Sequence, residues 1–271
     1  MINLIRSELL KVRTTNIWWI FAIMLVFFTG LSFTYNALIT HAILTDPGMA
    51  RGSGLDASVA GRAADLYTSG QYFALVFLLV LGALVVTNEY FHQTATTTFL
   101  VTPKRTLVIG AKLVAAVAVG LVFWVLTTGL SAIAGTIFLA AEGYGPQFDS
   151  GDVWRAMLLN LLGYVIWTIV GVGIGSLIRN QIATVIIAIV GYFVTGTIAQ
   201  TVAQILAFVL HWTWAPKVLV ALPGMASSVM INGAAGLPGH PSRWEAGLIL
   251  VAWGLAAGII GTLITRRRDV S

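Results

Sequence analysis

The apolar positions of this chain fall in long, nearly unbroken blocks instead of the spaced stripes that an amphipathic helix or half-buried strand would show. Six blocks, at about 17–39, 71–86, 107–139, 157–178, 182–199 and 246–264, approach or exceed the roughly 20 residues an α-helix needs to cross about 30 Å of hydrocarbon. The pattern predicts an all-α membrane protein with six transmembrane helices. The third block is too long for one upright span, so its ends are expected to project, with Lys112 snorkelling from its first turn. The fifth is the hardest to close, because apolar residues continue to Leu210.

Between the blocks the pattern changes. In residues 1–15, Ile2, Ile5, Leu9 and Val12 recur at helical spacing on one face, while Arg6, Lys11 and Arg13 lie mostly off it. This suits an interfacial amphipathic helix whose cations meet anionic lipid headgroups, the alternative being a plain positive flank. Trp18 and Trp19 follow at the position of an interfacial aromatic belt. The apolar run behind them is longer than a signal-peptide core and is read as a retained first span. Residues 200–245 carry Trp212, Trp214, Pro216, Pro223, Pro238 and Pro241 among apolar residues. Two readings stand: short amphipathic or re-entrant external helices, or a simple continuation of span five to Leu210.

Composition agrees: 58% of the 271 residues are hydrophobic, and 9% are charged against about 25% in globular proteins. So few charges could not cover a water-soluble surface. The charges are also sorted. With the amino terminus inside, the cytoplasmic segments hold ten basic and three acidic residues, a net +7, and the external segments five basic and seven acidic, a net −2. The positive-inside rule therefore places both termini in the cytoplasm of a multi-pass protein. The overall +5 is too diffuse for a nucleic-acid partner, the only basic run being Arg266, Arg267 and Arg268. With no cysteine, disulfides and thiolate chemistry are excluded.

Catalytic signatures are missing. There is no Gly-x4-Gly-Lys-Ser/Thr loop to cradle a nucleotide phosphate, so the chain is not expected to be an enzyme or to hold a cofactor. His41, His92, His211 and His240 lie in four separate segments without metal-ligand spacing. Gly171-Val172-Gly173-Ile174-Gly175 lies within a span and is read, with Gly254 and Gly258, as close helix packing. No Asp or Glu falls inside a block, which argues against an ion-driven carrier. The polar residues at depth are neutral, and Asn36, Thr128, Ser131, Asn160 and Thr195 are the candidates to line a pathway; helix–helix hydrogen bonding is the competing role. The connection at 87–106 is rich in threonine and carries Phe99 and Leu100. It reads as a docking surface with a short helix around 94–101, stopped by Pro103, or as a solvated tether.

Three groups of residues together resemble the type-2 ABC transporter permeases of bacteria. They are Ser7-Glu8-Leu9-Leu10-Lys11-Val12-Arg13-Thr14-Thr15 ahead of Trp18-Trp19, Glu89-Tyr90 closing span two, and Thr102-Pro103-Lys104-Arg105 leading to Ala111-Lys112-Leu113. The resemblance implies a single permease domain over 1–271 with residues 1–15 as the connecting helix. It makes 87–106 the coupling segment, with Glu89, Tyr90, Thr94, Thr97, Phe99, Leu100, Lys104 and Arg105 toward a separate ATP-binding cassette subunit that would hold ATP and Mg. It further implies short external helices within 200–245, a second permease as homodimer or heterodimer partner, and residence in the bacterial cell membrane. Export of a drug, lipid or peptide would be the function; a sensing or self-protection protein that answers a membrane-active peptide without bulk transport is the alternative. Where relatives usually carry a basic residue and a glycine after Glu-Tyr, this chain has Phe91-His92-Gln93-Thr94.

Overall fold

The computed structural model describes residues 1–50, 55–94, 96, 98, 100, 104–178, 180–212, 214–232 and 242–267, among which there is no strand. Helix α1 (Ile2–Thr14) precedes α2 (Ile17–Thr45), the first span. A short helix α3 (Val59–Tyr67) leads into α4 (Gln71–Phe91), followed by α5 (Arg105–Ala141) and α6 (Gly151–Leu177). The fifth span is composite: α7 (Gln181–Phe193), a π-helical segment (Val194–Ile198) and α8 (Ala199–Phe208). Two short helices, α9 (Ala215–Leu219) and α10 (Pro223–Asn232), precede α11 (Arg243–Arg267), the sixth span. Among the described residues six helices are long and apolar enough to cross a membrane, as expected for an all-α membrane protein.

Helix α4 is the axis of the bundle. Its most apolar stretch is 72% buried, whereas that of α2 is 11%, of the fifth span 22% and of α11 17%; the last three therefore leave most of that surface outside the chain's own packing. Glycine explains why α6 packs so closely on α4. A Cβ on Gly171 would lie 2.1 Å from the Leu79 carbonyl oxygen, and one on Gly175 2.6 Å from that of Ala83, so backbone touches backbone there. Gly173, two residues along and on another face, meets Ala257 of α11 at 2.7 Å instead. One glycine run thus serves two neighbours, which is the packing role expected of it. Gly254 and Gly258 complete that seam against Ile166 and Ile169. Phe21 and Phe28 of α2 dock on Phe73 and Phe77 of α4, ring centroids 4.6–5.7 Å apart.

After the π segment the fifth span runs on, and two short helices follow it. Helix continues to Phe208, and the chain then returns so that α10 begins against the middle of the same span. There a Cβ on Gly224 would sit 2.3 Å from the Gly196 nitrogen. From that point α10 runs along α6, with Ser227 hydrogen-bonded to Trp167 (3.0 Å) and Ile231 lying against Gly163.

Candidate functional site

Four charged side chains meet where α1 crosses the ends of α4 and α5. Glu8 lies three residues before Lys11 on α1, and the helical spacing lets Lys11 Nζ reach Glu8 Oε1 at 2.6 Å. The same ammonium lies 2.5 Å from Glu89 Oε1, at the end of α4. Lys112, in the second turn of α5, bonds Glu8 Oε2 at 2.7 Å and Glu89 Oε1 at 2.9 Å. The result is a closed ring of alternating charge, two cations and two carboxylates, joining three helices. Glu8, Glu89 and Lys112 are each no more than 6% exposed, and Lys11 forms the open edge.

Buried charges persist only when paired and hydrogen-bonded, and here each carboxylate faces two ammonium groups. Lys112 also donates to the Val85 carbonyl at 3.3 Å. The snorkelling expected of Lys112 is thus corrected: it is buried, because two carboxylates supplied by other helices pair with its ammonium inside the protein. Burial pulls the Lys11 pKa down, but the hydrogen bonds and charges of Glu8 and Glu89 outweigh it, and the net direction is upward from 10.5.

The polypeptide beyond Glu89 is held by the same residue. Helix α4 closes with Gln93 in the left-handed region (φ 56°). Gln93 N–H donates to the Tyr90 carbonyl (3.2 Å) and Thr94 N–H to that of Glu89 (2.9 Å), the two bonds of a Schellman cap. Thr94 then accepts from Thr98 N–H at 3.1 Å, starting a new helical turn, and Thr98 Oγ1 donates to Glu89 Oε1 at 3.3 Å. Thr96, Thr98 and Leu100 are helical, where a short helix was expected.

The residues of the expected docking set therefore divide by position. Glu89 points into the charge ring, and Tyr90 is half-buried; Thr94, Leu100 (75% exposed) and Lys104 are exposed. Thr97, Phe99 and the Arg105 side chain lie outside the described residues. Glu8, Lys11 and Lys112 carry the ring together with Glu89, yet no local pattern links their positions. The sequence signals for it were a glutamate and a lysine three apart on a helix that otherwise carries only cations, and the presence of all four residues in the three groups that carry the family resemblance.

Of the candidate pathway residues, two meet each other and the other three lie apart from them. Asn160 and Thr128 meet between α6 and α5 (3.5 Å), and Asn160 Nδ2 donates to Gln71 Oε1 at 3.0 Å. Ser131 is buried with its hydroxyl unpaired among the described residues. Asn36 donates back to Ser32 and Thr195 to Gly191, each within its own span. Among the described residues no group of three His, Asp or Glu side chains could hold a metal ion.

In this six-span helical bundle the amino-terminal helix is tied, through Glu89, to the helical turn between spans two and three. Residues 4–196, well over half the chain, match the family model described as ABC-2 family transporter protein, and the chain belongs to that family. It is accordingly a permease subunit of an ABC transporter, the membrane component that works with an ATP-binding cassette partner. The match takes in the whole charge ring and the spans as far as the π segment. No individual curated protein matches the chain.

Proposed function

We propose that this chain exports a hydrophobic or amphiphilic compound such as a drug, lipid or peptide, driven by ATP and Mg bound on a separate ATPase subunit that docks on the 94–104 segment. Both termini and that segment face the cytoplasm of a bacterial cell, and two permeases pair over two ATPases. The observation that carries this reading is the coupling of an exposed turn to a buried charge ring. Leu100 offers an apolar contact to a partner, while Thr98 and Thr94 tie the same turn to Glu89. A push on the turn reaches Glu89, and through Lys11 and Lys112 it moves α1, α4 and α5 as one body. Because α4 is the axis of the bundle, displacement at its end is transmitted to the other spans. Buried packing resists continuous deformation, so the movement favours a switch between discrete arrangements.

The test is to isolate the chain with the ATPase that co-purifies and to reconstitute both in vesicles. The wild-type permease should stimulate ATP hydrolysis, and a labelled amphiphile should cross the bilayer only with ATP present. Leu100→Glu should remove the stimulation while leaving membrane insertion intact. ATPase stimulation without movement of any compound would favour the sensing role instead, and unchanged stimulation in the variant would remove the docking assignment.

A further inference from the structure

An open recess of about 60 Å³ lies between the start of α4, the π segment and α10, room for a small polar head and not for a whole drug-sized molecule. Its polar wall is made of Gln71, Tyr72, Thr197, Gln200, Ser227 and Ser228, and Leu75 and Ile231 supply apolar floor. The wall is built and held in place. Tyr72 Oη and Thr197 Oγ1 are 2.5 Å apart, Tyr192 Oη donates to the Tyr72 carbonyl at 2.9 Å, and Trp167 Nε1 donates to Ser227 Oγ at 3.0 Å. Gln71 is braced from behind by Asn160. The side chains of Gln200 and Ser228 form no hydrogen bond among the described residues, so their amide and hydroxyl are available to a guest.

Two further observations point to a ligand. The fifth span abandons α-helical geometry for the five residues Val194–Ile198, where it borders the recess, and single π turns inside α-helices are frequent at functional sites. Every lining group among the described residues is neutral. A charged headgroup entering between these helices would shed its water and find no counter-charge among them, whereas hydroxyls and amides can exchange hydrogen bonds one for one. The same span presents Val194, Ile198, Val202 and Ile205 outward, each at least 39% exposed, and Tyr72 at the mouth is 40% exposed. An alkyl chain can lie on that stripe while its head occupies the recess.

We infer that this recess binds the uncharged, hydroxyl- or amide-bearing head of an amphiphile whose tail stays in the bilayer. The inference rests on the proposed handling of an amphiphile and narrows it to neutral head chemistry. The guest enters laterally, and Gln200 and Ser228 select it. Cargo awaiting export and a resident lipid share this chemistry.

The full chain in phosphatidylcholine nanodiscs, without ATPase, is irradiated with a monoacylglycerol carrying a diazirine in its chain. Saturable labelling should map to the first turns of α4 and to residues 194–232. Unlabelled monoacylglycerol should compete at least tenfold better than a lysophosphatidic acid or an alkyltrimethylammonium of equal chain length. Gln200→Leu and Ser228→Leu should each lower labelling about fivefold or more. Ser228→Asp should reverse the preference toward the trimethylammonium, a gain that misfolding does not produce. Labelling indifferent to head charge, mapping elsewhere, or unaltered in all three variants would overturn the inference. Since binding is read without ATPase, a Leu100→Glu chain that fails to stimulate hydrolysis but still labels selectively leaves this site standing. A chain that couples but does not label selectively leaves the exporter standing and removes the site. In the ATPase complex, release of the probe on adding ATP marks cargo and retention marks a resident lipid.

Discussion

Lys112 Nζ lies 2.7 Å from Oε2 of Glu8, a residue 104 positions earlier, and that contact fastens the amino-terminal helix to the start of the third span. Removing one partner of a buried pair is far more damaging than replacing both, because the survivor keeps its charge without its solvent. Lys112→Met should lower stability by about 3–5 kcal/mol. The double variant Glu8→Gln, Lys112→Met should recover a good part of that loss. Thermal unfolding of both proteins in one detergent checks this; equal midpoints for wild type and the single variant would show that the ring bears no load.

The pH response of the ring follows from Lys11. Its folded-state pKa is raised, so its contribution is fully present below the unfolded value of about 10.4 and is lost only as pH rises through the folded value. A fluorophore on exposed Leu10 should therefore report a docked α1 unchanged from about pH 7 to 10, with loosening only at higher pH, as Lys11 loses its charge while the Lys112–Glu8 contact remains. Release near neutral pH would contradict this assignment.

Close backbone packing separates glycines that otherwise look alike in the sequence. Gly171→Ala forces a methyl group to 2.1 Å from the Leu79 oxygen and should cost about 1–3 kcal/mol or more. Gly129, in the interior of α5, has nothing within 4 Å of an added Cβ, so Gly129→Ala should gain about 0.5–1 kcal/mol in helix stability. The thermal midpoints should move in opposite directions.

Gln93 holds the left-handed position of the α4 cap, a conformation that costs a side-chain-bearing residue about 1–2 kcal/mol. Glycine adopts it freely but loses more entropy on folding, so Gln93→Gly should stabilise by a net of about 0.5–1 kcal/mol. ATPase stimulation should be retained, since the cap bonds are made by backbone atoms. A destabilised variant would mean that the Gln93 side chain does more than cap.

Tyr164 and Thr127 share a buried hydrogen bond of 2.8 Å between α6 and α5. Such bonds between membrane helices average about 0.6 kcal/mol, and Thr127 keeps its bond to the Phe123 carbonyl when the phenol is removed. Tyr164→Phe should thus shift the midpoint only slightly, well short of the Lys112→Met effect, in the same assay.

Much of the architecture was legible in the sequence because it rests on local composition. The six apolar blocks became six spans, and the glycine run at 171–175 became a packing seam. The spacing of Ile2, Ile5, Leu9 and Val12 gave the amino-terminal helix its place. The coupling ring was not legible: Glu8, Lys11, Glu89 and Lys112 come from three segments, and each alone reads as an ordinary boundary charge. The recess was hidden for a related reason. Gln71, Gln200 and Ser228 belong to three different elements, and the π segment that borders them has no composition of its own.

By itself the sequence determined that the chain is a bundle of membrane helices, since the cost of placing charge and open backbone in hydrocarbon depends on residue type and run length. Only the tertiary structure decided which helix stands at the centre. The apolar windows of α2 and α4 have nearly the same mean hydropathy, 2.0 and 2.2, yet the first is 11% buried and the second 72%. Hydropathy measures departure from water and does not distinguish lipid from protein as the destination. That choice is made by backbone approach at Gly82, Gly171 and Gly175, and by charges that meet across 78 and 104 residues of chain.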